Sequence, residues 1–191
     1  MFAQIETGTI IAIAIIALIL IIILWFVGTM NRLRSLALKV QEAESGIDVA
    51  LTKRFAILMK LLETIKEETK QENKALKKTI QWQNGIPMNA SIRDKEEFLS
   101  QMDAVAKGID DIIEQHPTLI ADVLFKDLQV GVANTEEQLQ AARRLYNATV
   151  GAINTIIATF PDSIVANAIR MEKKADFEVE AKKRQDGGFK F

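Results

Sequence analysis

From Ile10 to Val27 every residue is apolar, and no charged side chain intervenes between Glu6 and Arg32. A helix apolar on every side has no polar face to give to water, so the run belongs in a protein core or in lipid. Continued to Met30 it holds 21 residues, roughly 31 Å as a helix, against a hydrocarbon core of about 30 Å. In lipid the backbone must satisfy its own hydrogen bonds, which selects helix despite the many isoleucines. A single transmembrane helix over about 10–30 is therefore expected. Trp25, Arg32 and Arg34 are the candidate membrane-interface residues, an aromatic ring at headgroup level with basic side chains beyond it. A cleaved signal peptide would need a basic start and a small-residue cleavage site. This chain has Glu6 and Trp25-Phe26-Val27 instead. Arg32, Arg34 and Lys39 follow the run and no basic residue precedes it, so the N-terminus is expected outside and the remainder in the cytoplasm.

Beyond the anchor the charges balance. Residues 32–191 hold all 24 basic side chains and 24 of the 25 acidic ones. That balance argues against a nucleic-acid partner, which would call for a basic excess or stripe. With no cysteine, disulfide frameworks, thiol catalysis and Cys-ligated metals are excluded. About 160 residues make one ordinary domain with its own core.

Those residues read as helical throughout. Between Met30 and Trp82 there is no proline, and apolar residues recur in steps of three and four through Leu33, Leu36, Val40, Ala43, Ile47, Leu51, Phe55, Leu58, Leu62 and Ile65. The polar stretch Glu67–Lys74 predicts a solvated segment or bend. Asn84-Gly85-Ile86-Pro87 ends the first helix. Ser91-Ile92-Arg93-Asp94 resembles a capping box and opens a second helix, which stops at His116-Pro117. A third segment starts near Thr118, with Gly131 as a break or a close contact. A last long helix ends at Pro161. The expected fold is all-α: an N-terminal transmembrane helix followed by an antiparallel up-and-down four-helix bundle. Its divisions are residues 1–31 with the span, 32–174 as the bundle, and 175–191 as a charged, mobile tail whose Phe177 and Val179 can dock on the bundle. The first helix is long enough to leave a stalk near 32–44.

The search for chemistry returns absences. His116 is the one histidine, and its place before Pro117 suits a helix cap. A di-iron bundle site needs a Glu-x-x-His pair from each of two helices, so it is excluded. Asp110, Asp111 and Glu114 read as a solvated face, with a weak divalent-cation patch as the minor reading. Lys53-Arg54 and Arg143-Arg144 read as solvated helix edges, worth little as exposed charges. Phosphate-cradling glycine patterns are missing, and the apolar seams of a bundle offer no evident cleft for carboxylate-only hydrolysis. No enzyme, cofactor or metal is indicated.

Two segments carry a resemblance. Ala142-Arg143-Arg144-Leu145-Tyr146-Asn147, Asn154-Thr155 and Phe160-Pro161, together with Ile47-Asp48-Val49, Leu51, Lys53 and Arg54 upstream, resemble the LemA family across nearly the whole chain. The chain departs from that family at Ala56–Lys60, where members commonly carry an Asp-Leu-Ile-Pro-Asn run, and after Pro161. The resemblance implies a single-pass protein of the bacterial cell membrane with a helical bundle and no catalytic residues to carry over. It also implies an adaptor or scaffold role with a protein partner, for which a membrane metallopeptidase is the candidate. Arg143, Arg144, Tyr146, Asn147 and Asn154 are then the candidate partner contacts. The alternative for each is internal: Tyr146 and Asn154 buried and hydrogen-bonded, Arg143 paired with Glu136 or Glu137. A second reading is a homo-oligomeric stalk, because Leu33, Val40 and Ile47, like Leu36 and Ala43, lie seven apart.

Overall fold

A computed structural model describes residues 7–69, 90–116 and 123–178. They form four helices: α1 (Thr7–Thr69), α2 (Ile92–Gln115), α3 (Val123–Ala158) and α4 (Asp162–Ala168). No strand occurs among the described residues. α1 runs without interruption from the apolar segment into the amphipathic one. The polar stretch after Glu67, the turn at Asn84–Pro87 and the start near Thr118 all reach into residues outside the described ones.

Helix ends follow the local chemistry. At α2 the Ser91 hydroxyl accepts the Asp94 backbone N–H at 3.2 Å, while Asp94 accepts the Ser91 N–H at 3.0 Å and its hydroxyl at 2.7 Å. This reciprocal box satisfies donors that the first turn leaves unpaired. It also holds the Asp94 carboxyl below its ordinary value, first through the Ser91 side chain and then through its backbone. His116 closes the helix, its backbone N–H reaching the carbonyls of Ile112 and Ile113. α4 ends in a Schellman motif: Met171 N–H donates to Ala166 O at 2.9 Å and Arg170 N–H to Asn167 O at 3.1 Å. Arg170 takes the left-handed φ of 54° that such an ending requires.

Among the described residues there are two compact units. One lies within 1–40 and 149–174, the other within 41–148 and 175–178. The first packs the α1 residues Leu33 and Val40 with Val150, Ile153, Ile156 and Ile157 of α3 and Val165 and Ala166 of α4, all buried. The expected bare stalk near 32–44 is thus absent. α3 continues to Ala158, and its last turns contribute to the core in which that stretch of α1 is buried. In the same unit the α1 run from Ile10 to Leu24 is uncovered, each Ile and Leu at least half exposed.

The second unit buries Ile47, Leu51, Leu58, Leu62 and Ile65 of α1, Leu99, Met102, Val105 and Ile109 of α2, and Phe125 and Leu139 of α3. Cross-helix contacts fix directions. Lys95 meets Glu44 and Asp48, Phe98 stacks tilted on Phe55 at 5.8 Å, and Asp103 meets Arg54. Numbers rise together, so α2 runs parallel to α1. Glu136 meets Arg54, and Gly131 lies under Ile57, so α3 runs antiparallel. A Cβ on Gly131 would come within 3.3 Å of the Ile57 side chain. Gly131 is therefore a close contact and not a break. The third and fourth segments read from the sequence are one 36-residue helix.

Candidate functional site

Among the described residues two charged side chains occupy core positions. Arg54 sits in the apolar stripe of α1, four before Leu58 and three after Leu51, and is 5% exposed. Its Nη2 lies 2.7 Å from Asp103 and its Nη1 2.9 Å from Glu136. The Glu136 approach is a charge contact without hydrogen-bond alignment, and Nε has no hydrogen-bond partner. The solvated-edge reading of Lys53-Arg54 therefore describes exposed Lys53 and fails for Arg54. A long side chain projecting from a core position must bring its counter-ions to it. The ion pair with Glu136 goes to Arg54, although the charges of Glu136, Asp103 and Glu96 still act on Arg143.

Lys95 repeats the pattern on α2, 2% exposed, with Nζ 2.8 Å from Glu44 and 2.7 Å from Asp48. Burial alone would lower the pKa of its ammonium group. The hydrogen bonds and charges of Asp48 and Glu44 outweigh burial and raise it. Lys95 went unremarked in the sequence. The available signal was its spacing, four before Leu99, with Glu44 and Asp48 one turn apart on the facing helix.

Beside Arg54 the second unit holds a cleft of about 340 Å³. Leu58, Leu61, Ile109 and Val132 supply apolar lining, and Asp103, Asp110 and Glu136 join Arg54 as its charged groups. The sequence by itself leaves open whether the helices enclose a pocket. The lining of this cleft comes from α1, α2 and α3 and includes the ion-paired Arg54, Asp103 and Glu136. With three carboxylates and one guanidinium, its field favours a cationic group on an apolar body. Among the described residues no three His, Asp or Glu side chains converge as metal ligands.

The C-terminal motif residues face a different object, the non-helical segment 171–178, which acts as a strap. In the second unit the Tyr146 hydroxyl donates to Ala175 O at 2.9 Å. Asn147 clamps Phe177 from both sides: its Nδ2 donates to Phe177 O at 3.0 Å and its Oδ1 accepts Phe177 N–H at 2.8 Å. The Phe177 ring is 1% exposed, with the Arg143 guanidinium 5.4 Å from its centroid. Glu178 N–H donates to Glu96. Residues 175–178, read as the start of a mobile tail, are held in place, and Val179 lies outside the described residues. In the first unit Asn154 holds Lys174 by the same two-sided clamp, both bonds 2.8 Å. An asparagine side chain offers one donor and one acceptor in the spacing of a peptide group, so it can replace a strand partner.

Burial pushes the Tyr146 phenol up to about 12, with the charges of Glu44, Asp176 and Glu96 adding to it. Burial also lowers the Arg143 pKa, against the opposing pull of Glu136, Asp103 and Glu96. Of the five candidate contacts, Arg144 alone lies wholly on the surface, with Nε donating to Gln140 O at 3.3 Å. Arg32 and Arg34 are exposed and Trp25 is half-buried. Near them, Thr29 is buried and its hydroxyl donates to Asp162 at 3.0 Å, a link with no sequence signal.

The LemA family model matches residues 43–191. Protein LemA of Metamycoplasma hominis is 27% identical over 162 residues, covering 84% of this chain and 74% of that protein.

Proposed function

This chain belongs to the LemA family, and we propose that it acts as a membrane-anchored helical adaptor, without catalysis of its own, that docks a protein partner in the cleft beside Arg54. The long apolar helix near the N-terminus fits a membrane anchor. In this reading the protein spans the bacterial cell membrane once, with its N-terminus outside and its helical bundle in the cytoplasm, where α2 runs parallel and α3 antiparallel to α1 in place of the expected up-and-down alternation. The observation that carries the adaptor role is the fate of the polar residues. Arg54, Lys95, Tyr146, Asn147 and Asn154 are engaged in internal ion pairs and strap contacts. What faces outward is an acidic, apolar-lined cleft. Its chemistry suits a segment bearing Lys or Arg on an apolar helix face, as a membrane metallopeptidase partner would present. Homo-oligomerisation through the first helix is the less favoured reading, because Leu33, Val40, Ala43 and Ile47 are already buried within the chain.

Asp110 lines the cleft and belongs to no ion pair described above, which makes Asp110→Lys the direct test, with Arg144→Glu as the surface control. Full-length protein captured from native membranes in mild detergent should lose its partner with Asp110→Lys and keep it with Arg144→Glu. Equal capture by the Asp110 variant removes the cleft from the reading. Recovery of the chain alone in every sample favours self-assembly.

A further inference from the structure

The turn between α3 and α4 carries an apolar surface that the packing does not use. α3 and α4 meet at 95° across Thr159–Pro161. Val165 and Ala166 are buried, while Phe160 and Ile164 stand 77% and 54% exposed. An exposed phenylalanine alone is unremarkable. This one is tied to a particular place: Asp162, two residues on, accepts the Thr29 hydroxyl at 3.0 Å. Thr29 closes the apolar run of α1, two residues beyond Val27, so the corner lies where that run gives way to Arg32 and Arg34.

Charge distribution agrees. Between Arg144 and Arg170 the only charged residue is Asp162, and its carboxylate is the one engaged by Thr29. Arg170, Lys173 and Lys174 follow after α4, with Glu172 the one acidic residue among them, and are exposed. Residues 1–40 and 149–174 together hold six basic and three acidic side chains, whereas the rest of the chain holds eighteen and twenty-two. An apolar knob flanked by basic side chains is the composition of a segment that lies in the interfacial layer of an anionic bilayer.

We propose that the α3–α4 corner is a second membrane contact, with Phe160 and Ile164 inserted among the lipid headgroups beside the anchor and Arg170, Lys173 and Lys174 facing anionic phosphates. A second point of attachment would restrict rotation of the chain about the axis of α1, which a single spanning helix leaves free. The inference rests on the reading of α1 as an anchor, and the experiment separates the two.

The chain has no cysteine, so a single introduced thiol takes a fluorophore uniquely. Full-length protein carrying Thr159→Cys, Ile16→Cys or Val49→Cys is labelled with an environment-sensitive dye and reconstituted in phosphatidylcholine–phosphatidylglycerol vesicles. Nitroxide-bearing lipids then quench either at headgroup depth or deep in the acyl region. The Thr159 label should lose about half its emission to the shallow quencher, the Ile16 label should respond to the deep one, and the Val49 label to neither. Adding Phe160→Asp with Ile164→Asp should abolish quenching at Thr159 while circular dichroism is unchanged. A Thr159 label no more quenched than Val49, beside a quenched Ile16, overturns the corner contact and leaves the anchor standing. Quenching that survives the double Asp variant overturns the assignment to Phe160 and Ile164. An unquenched Ile16 label removes the anchor and the corner contact with it.

Discussion

Along α1, the residues from Ile10 to Leu24 and those from Ala43 to Ile65 are both rich in aliphatic side chains, yet they are disposed in different ways. In the first stretch every Ile and Leu is at least half exposed, on all sides of the helix. In the second, Ile47, Leu51, Leu58, Leu62 and Ile65 are buried on one stripe while Thr52, Lys53 and Lys60 face out. A striped helix meets a protein core on one face and water on the other. An unstriped helix left uncovered fits a single apolar surrounding. The stripe also admits Arg54, which a helix surrounded by lipid would accommodate only at a large energetic penalty. One continuous helix thus changes environment within about three and a half turns between Val27 and Val40, and the link from Thr29 to Asp162 falls in that interval.

The comparison breaks first at Arg54. Asp103→Asn with Glu136→Gln would leave its guanidinium buried and uncompensated. Unfolding of the full chain by urea in detergent micelles, followed by circular dichroism, should show a loss of about 3 kcal/mol, the low end for breaking a buried pair because water reaches both carboxylate positions. No change in the midpoint would mean that Arg54 reaches solvent. In the unstriped half, Ile16→Arg should impede membrane insertion by roughly 2.5–3.5 kcal/mol, read as protein released from membranes by alkaline extraction. Full retention would contradict a lipid-facing helix centre.

Tyr146 gives a spectroscopic check on the striped unit, since it is the chain's one tyrosine. Its phenolate absorbance should rise with a midpoint near 12 in the folded protein and near 10 after denaturation. Below pH 10 both states hold the proton. Between about 10 and 12 the unfolded chain releases it and the folded one does not, so stability should fall across that window. A folded midpoint near 10 would place the ring in water. Asn147→Ala strips Phe177 of its backbone partners and should cost about 1–2 kcal/mol, with faster proteolysis at 171–178. Unchanged cleavage would show that the Phe177 ring holds the strap unaided. The smallest effect is the most direct contrast: Ile47→Val should destabilise by about 1 kcal/mol, and Ile19→Val by almost nothing, because lipid refills a missing methyl and a packed core does not.

The sequence alone determined the helical class, the apolar run, the Ser91 capping box and the stop at His116. Each depends on neighbours within a few residues or on a period that one helix imposes. The tertiary structure decided which charges are buried. The helical period puts Arg54, unlike Lys53, on the stripe of Leu51 and Leu58, but only the fold supplies the counter-ions that keep its charge there. Lys53 and Arg54 differ because a step of 100° turns one side chain to water and the other towards Asp103 and Glu136, which lie far along the chain. It also joined α3 across Gly131, opened the cleft, and turned the Tyr146, Asn147 and Asn154 motif inward onto 174–177. Short polar side chains are compatible with a surface or with a strap. Which of these they meet depends on where a distant segment comes to rest, and that is decided by whether burying Phe177 outweighs the entropy of holding the strap in place.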